Sequence, residues 1–416
     1  MVASNSVMTV NRLGLGTGEL QDFAFIRTLA YAEYGAASVG EVTHVARKIA
    51  EAGGGREAYV RAWAEQGRKN ADRAREALAA GRTTTARTHF HRAYNYLRAA
   101  EFYFDRRRPA EAAALYDESV ACFDQALPLL GTPAERLRIP YGDGPDLPGY
   151  LFAAADDGVP RPTVVIWGGG DGHGEELYFL AGVPEALARG LNVVLFHGPG
   201  QRGLLHHHPG QVMRADAEVP LGAVLDHVAA RPEVRPDRIA LYGLSFGGYL
   251  APRAAAFDRR VAALVANAPI LDFHEAIMDA VTVALPAPPP DAPDDLWDEV
   301  HRRVATLDWA LAATIDNYLL WTTGAASLGE FLRLTRAFAL HDLVGRITVP
   351  VLSISSDGES PVQRAQTAAF HERLDVPRKR FHRLAVADGA DAHCGVNNIA
   401  LTSSIAYDWL AEALAG

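Results

Sequence analysis

Cysteine is almost missing from this chain: Cys122 and Cys394 are the only two in 416 residues. That excludes a disulfide framework and fits a reducing cytoplasm, and the two show no zinc-ligand spacing. No run of about 18 apolar residues occurs, which excludes a membrane-spanning helix. The opening MVASNSVMTVNRLGLGTG has no apolar core of signal-peptide length behind a basic segment, so a cytoplasmic location is expected. A basic excess is also lacking. Lys and Arg number 40 against 50 Asp and Glu, and the formal charge of −10 argues against nucleic acid as a main partner. What remains is ordinary globular material, 49% hydrophobic and 22% charged. At roughly 150 residues per domain the length suggests two or three domains. The expected partner is a small molecule, and self-association as a homodimer is left open.

The first 135 residues differ in character from the rest. From Arg56 to Leu78, the residues Val60, Trp63, Gly67, Ala71, Ala74 and Leu78 recur at helical spacing, and Gly81 ends the segment. Phe90, Ala93, Leu97, Ala100 and Phe104 form a second stripe, and Pro109 opens a third helix. No unit of fixed period recurs three times, so a helical cap is a better reading than a peptide-binding repeat array. The aromatics Trp63, Tyr94 and Tyr96 could wall a pocket, although at this spacing core packing is the commoner role.

Beyond Arg136, short β-branched runs take over: Thr163–Trp167, Leu191–His197, Arg238–Leu244, Val261–Ala266, Val349–Ser355 and Phe381–Val386. Most are separated by helical stretches, the pattern of a mostly parallel, doubly wound α/β sheet. The expected division is therefore a cap at 1–135 and a catalytic domain at 136–416. Residues 267–345 form a helical, lid-like insertion that includes the proline-rich stretch 286–293.

Gly243-Leu-Ser245-Phe-Gly247 follows one of these strands and precedes a helix-compatible stretch. That is the strand–turn–helix context of a nucleophile elbow, which presents a serine on a sharp turn and the Phe246 amide to a developing oxyanion. The plainer alternative is a glycine-rich turn in which Ser245 caps the helix. A serine needs a base oriented by an acid, and in hydrolases built on such an elbow the chain order is serine, acid, histidine. His393 lies in the loop after the last strand, where the base belongs. Asp357 and Glu359 both follow the preceding strand; Glu359 is favoured, with Asp357 the alternative. The loop Gly168-Gly169-Gly170-Asp171 follows the strand 163–167 and can bring bare amides to a reacting carbonyl. Gly198-Pro-Gly200-Gln-Arg-Gly203 fits a dinucleotide fingerprint, but Pro209 interrupts any early helix and no acid closes the next strand. The run His206-His207-His208 lacks the convergent partners that a metal site needs.

These features together resemble the α/β-hydrolases with an N-terminal helical cap. That group holds the 2,6-dihydroxypseudooxynicotine hydrolases, the fermentation-respiration-switch esterase-like proteins and fungal polyketide-shortening hydrolases of pigment pathways. The likeness covers nearly the whole chain. It rests on Tyr34-Gly-Ala, the segment Arg92–Phe102, Gly168-Gly-Gly-Asp171, Gly198-Pro-Gly-Gln201, the elbow at Ser245 and His393-Cys-x-x-Asn397. It implies serine-type hydrolysis of a C–C bond next to a carbonyl, or of an ester or thioester, in a small or polyketide-like molecule. An acyltransferase or cyclase with the same triad is the alternative. In the implied site Ser245, Glu359 and His393 react; Phe246, Gly169 and Gly170 hold the oxyanion; Asp171 and Arg202 lie by the substrate; no metal or organic cofactor takes part. Two departures from the family pattern fall near the expected pocket. His197 stands where Asp is usual, and Arg202 where a small residue is usual.

Overall fold

A computed structural model of the chain describes residues 8–16, 18–284, 289 and 292–415, without the side chains of 282–284. The proline-rich stretch 286–293 falls mostly outside them. The chain forms two compact units that interleave along the sequence: residues 12–134 with 301–319, and residues 1–11 with 135–300 and 320–416. The break is therefore not the single one expected at 135/136, and the expected insertion at 267–345 is itself divided between the units.

The helical unit contains helices at Glu19–Ala30, Val39–Glu51, Arg56–Ala79, Thr83–Phe102 and Pro109–Ala126. Gly81 ends the third of these in a left-handed conformation, φ 70°. Trp63, Tyr94 and Tyr96 are fully buried in this unit. Trp63 packs between Phe25 and Tyr96, with ring centroids 5.6 and 5.3 Å away. Residues 301–319 join the unit for two visible reasons. The Trp309 ring lies 5.3 Å from Tyr103 and 5.8 Å from Tyr59. The Asn317 amide donates to the carbonyls of Phe102 and Phe104 at the open C-terminal end of Thr83–Phe102, at 3.0 and 2.9 Å.

The other unit is built on an eight-stranded sheet: β1 (Ala134–Ile139), β2 (Leu147–Phe152), β3 (Arg161–Trp167), β4 (Asn192–Phe196), β5 (Val234–Leu244), β6 (Val261–Asn267), β7 (Val351–Ser356) and β8 (Lys379–Leu384). The spatial order is β1-β2-β4-β3-β5-β6-β7-β8. β2 runs antiparallel to β4, and every pairing from β4 through β8 is parallel. The central strands are buried throughout most of their length, as expected for a sheet covered on both faces. This is the α/β-hydrolase fold. Parallel order places the C-terminal ends of β3, β5, β7 and β8 along one side of the sheet, and the loops that leave those ends carry the expected site residues. Among the described residues no helix is long and apolar enough to cross a membrane.

Candidate active site

The elbow forms as the glycine spacing requires. β5 ends at Leu244, and a helix spans Gly247–Phe257. Ser245 between them has φ 58°, a left-handed conformation that non-glycine residues seldom adopt. It is held there by its N–H on the Asn267 carbonyl (2.8 Å) and its carbonyl on the Gly248 N–H (2.7 Å). Crowding explains the glycines: a Cβ on Gly247 would sit 2.1 Å from the Trp167 carbonyl oxygen, and one on Gly248 1.8 Å from that of Ala268. Phe246, whose amide is the expected oxyanion donor, buries its ring against Phe273 and Phe338.

His393 Nε2 lies 2.9 Å from Ser245 Oγ, and its Nδ1 lies 3.2 Å from Glu359 Oε1. Glu359 is only 1% exposed. Asp357, two residues earlier, turns the other way and pairs with Arg383 at 2.5 and 3.0 Å. That guanidinium holds the Asp357 carboxyl below its ordinary range. Ser245, His393 and Glu359 are thus brought together, and Asp357 is not. Burial works against protonation of the His393 ring, but the adjoining Cys394 thiol and Glu359 carboxylate outweigh it, so the imidazole is held above its ordinary 6.5.

The histidine turn has supports that sequence reading did not identify. Asn267, the last residue of β6, accepts from Ser245 N and from Cys394 Sγ (3.2 Å) on one carbonyl, and its side-chain amide donates to the Cys394 carbonyl at 3.0 Å. One residue therefore ties the elbow to the histidine turn. Asp391 is fully buried and accepts from the Thr9 hydroxyl, the Val10 and Asn11 amides, and the side chains of Asn11 and Asn397. Alongside, His393 N–H donates to the Met8 carbonyl at 2.7 Å. Of these, only Asn397 lay in a recognised sequence pattern.

In the glycine loop, Gly169 lies directly against the nucleophile: a Cβ there would be 3.0 Å from Ser245 Oγ. Gly170 follows it, and the Asp171 carbonyl accepts from Arg202 Nε at 2.9 Å. Arg202 is fully buried, its guanidinium 5.6 Å from the Trp321 ring centroid. His206 also meets Trp321, with ring centroids 4.9 Å apart. His197 is an interior residue. It sits 3.1 Å from the buried Glu175 and accepts from the Gly203 N–H at 3.1 Å. Burial pushes the Glu175 carboxyl up, but the adjoining His197 ring more than offsets this and brings it down to about 2. Tyr150 adds a hydrogen bond to the same carboxylate at 3.1 Å.

Comparison with known proteins finds relatives of the chain and of its fold. The model of the "Esterase FrsA-like" family matches residues 51–286. The chain is 37% identical over 393 residues to "Hydrolyase poxO" of Penicillium oxalicum, covering 86% of this chain and 90% of that protein. It is 34% identical to "Hydrolase LUC6" of a Fusarium species, covering 80% of each. Among solved structures, the 2,6-dihydroxy-pseudo-oxynicotine hydrolase superposes with a TM-score of 0.64 at 21% identity, over 92% of this chain and 95% of that one. At that identity the likeness speaks for the fold alone.

Proposed function

The chain belongs to the FrsA-like esterase family and is an α/β-hydrolase enzyme; from that premise we propose that it cleaves a carbonyl compound through an acyl-enzyme on Ser245. The observation that carries the proposal is the continuous path from Ser245 Oγ to His393 to Glu359 at 2.9 and 3.2 Å. Ser245 Oγ attacks the carbonyl carbon while its proton passes to His393 Nε2. Glu359 keeps the other ring proton on Nδ1 and stabilises the imidazolium that forms. The amides of Phe246, Gly169 and Gly170 receive the oxyanion. Collapse expels the leaving group, which takes the proton from His393, and a water activated by the same histidine then releases the acid. The leaving group is an alkoxide or thiolate from an ester or thioester. For a C–C bond it is a carbanion stabilised as an enolate by its own carbonyl. The resemblance to cap-bearing hydrolases supports a small or polyketide-like substrate.

The test uses aryl esters, acyl thioesters and 1,3-dicarbonyl compounds with the purified chain in ¹⁸O-labelled water. One ¹⁸O atom in the released acid is the expected result, with turnover lowered by several orders of magnitude in Ser245→Ala. Products acylated on an added amine or alcohol, without ¹⁸O, would make the protein an acyltransferase. Wild-type turnover in a folded Ser245→Ala sample would overturn the serine mechanism.

A further inference from the structure

Gly198-Pro-Gly200-Gln-Arg-Gly203, the segment that imitates a dinucleotide fingerprint, has no part in the chemistry above. Its Gln201 is only 3% exposed, and its amide hydrogen bonds reach the loop and strand ends around Ser245. Gln201 Oε1 accepts from Trp167 Nε1 at 3.1 Å and from Gly198 N at 2.7 Å. Its Nε2 donates to the carbonyls of Gly168 and Gly169 at 3.3 and 3.0 Å. An indole and a backbone N–H can only donate, and carbonyls can only accept, so these four partners fix which end of the amide faces which way.

The consequence follows from peptide geometry. The bonds 168–169 and 169–170 are trans, so in each peptide the N–H points opposite to the C=O. Holding the carbonyls of Gly168 and Gly169 on Gln201 therefore turns the N–H groups of Gly169 and Gly170 away from it. Gly169 is also the residue that lies against Ser245 Oγ. Three consecutive glycines are the most freely rotating backbone a protein can place there. Rotation of either peptide plane would exchange a donor for a carbonyl oxygen facing a developing negative charge.

We propose that Gln201 is a positioning residue that locks the two peptide planes of the oxyanion loop, so that Gly169 and Gly170 present N–H groups before substrate arrives. The proposal rests on the acyl-enzyme reading of Ser245. It gives the glycine-rich segment after β4 a role, which is to carry the side chain that orients the loop after β3.

Gln201→Glu tests it with little change of shape. The carboxylate can still accept from Trp167 and Gly198 but cannot donate to the two carbonyls. A milder variant, Trp167→Phe, removes one of the two donors that fix the amide. The readouts are kcat and KM for an aryl ester, the affinity of a trifluoromethyl ketone that forms a tetrahedral adduct on Ser245, and circular dichroism with Tm. In Gln201→Glu the expected result is a loss of about 10²–10³ in kcat, the scale of a lost oxyanion donor. KM should stay within about twofold, and ketone affinity should fall by the same factor as kcat. Trp167→Phe should show the same pattern with a smaller loss, which keeps the proposal open to refutation if the glutamate variant does not fold. A folded variant of either kind with wild-type kcat and ketone affinity overturns the proposal, as does a kcat loss with unchanged ketone affinity. If the wild-type enzyme turns over substrate but forms no ketone adduct on Ser245, the acyl-enzyme reading fails first and the proposal with it.

Discussion

Replacing Glu359 with Gln should nearly abolish turnover, whereas replacing Asp357 with Asn should hardly change it. Glu359 is buried and lies 3.2 Å from His393 Nδ1, whose side chain is 24% exposed. Two unit charges at that separation attract by roughly 5 kcal/mol at an effective dielectric of about 20. At ~1.4 kcal/mol per decade, losing that stabilisation of the imidazolium lowers the rate by about 10⁴. The same factor is seen when the orienting acid of another serine triad is amidated. A glutamine can in addition donate to Nδ1 and trap the ring in the unproductive tautomer. Asp357 pairs with Arg383, which is 69% exposed, and such surface pairs are worth about 0–1 kcal/mol. The assay is kcat/KM on an aryl ester for both variants, with circular dichroism to confirm folding. A loss of about 10⁴ in Asp357→Asn beside near-normal Glu359→Gln would refute the assignment.

Three further outcomes are expected. The base works only when neutral and its pKa is raised by Cys394 and Glu359 together, so the acid limb of the kcat/KM–pH profile should have its midpoint above 6.5; a midpoint at or below that value would contradict their combined effect on the ring. Burial raises the Asp391 carboxyl, but its donors from Val10, Asn11, Asn397 and Thr9 outweigh this and hold it below 3.8. Its stabilising contribution is then present above about pH 4 and lost as pH falls through the depressed value, so Asp391→Asn should lower Tm at pH 7 and differ less from wild type below pH 4. Finally, a truncation lacking 1–135 removes Thr9, Val10 and Asn11 from Asp391 and leaves Trp309 and Asn317 without Tyr103 and Phe102. It should aggregate on size-exclusion chromatography and lose ester turnover; a monodisperse, fully active product would contradict the interleaved division.

The central strands were legible because they are continuous β-branched runs buried on both faces, and β3 through β7 fall close to the runs read from sequence. β1 and β2 were not foreseen. β1 alternates exposed charge with apolar residues at a sheet edge, and β2 carries Pro148 and Gly149, which read as a turn. The last strand lies two residues earlier than its apolar run, since Lys379 and Arg380 pair at the opposite edge, where charge is tolerated. Ser245 and His393 stood out because each occupies a turn with its own local chemistry. The acid was narrowed to two carboxylates with Glu359 favoured over Asp357, since the direction of a side chain in a loop leaves little mark in sequence. Gln201, Asn267 and Asp391 were missed for a related reason. Their hydrogen bonds reach loops 32, 127 and up to 382 residues away, and no local period or spacing records such pairings. The interleaving of the two units was missed likewise: one break falls at 134/135, beside the expected one, but Asp391 and Asn317 fasten distant pieces of chain that a contiguous reading separates.

The most direct test of the central claim is intact-mass and peptide-level mass spectrometry after incubation with a fluorophosphonate. The expected result is a single adduct on the peptide containing Ser245, with loss of turnover in proportion to labelling and no adduct in folded Ser245→Ala protein. A catalytically active enzyme that remains unlabelled at Ser245, or full labelling there with undiminished turnover, would contradict it.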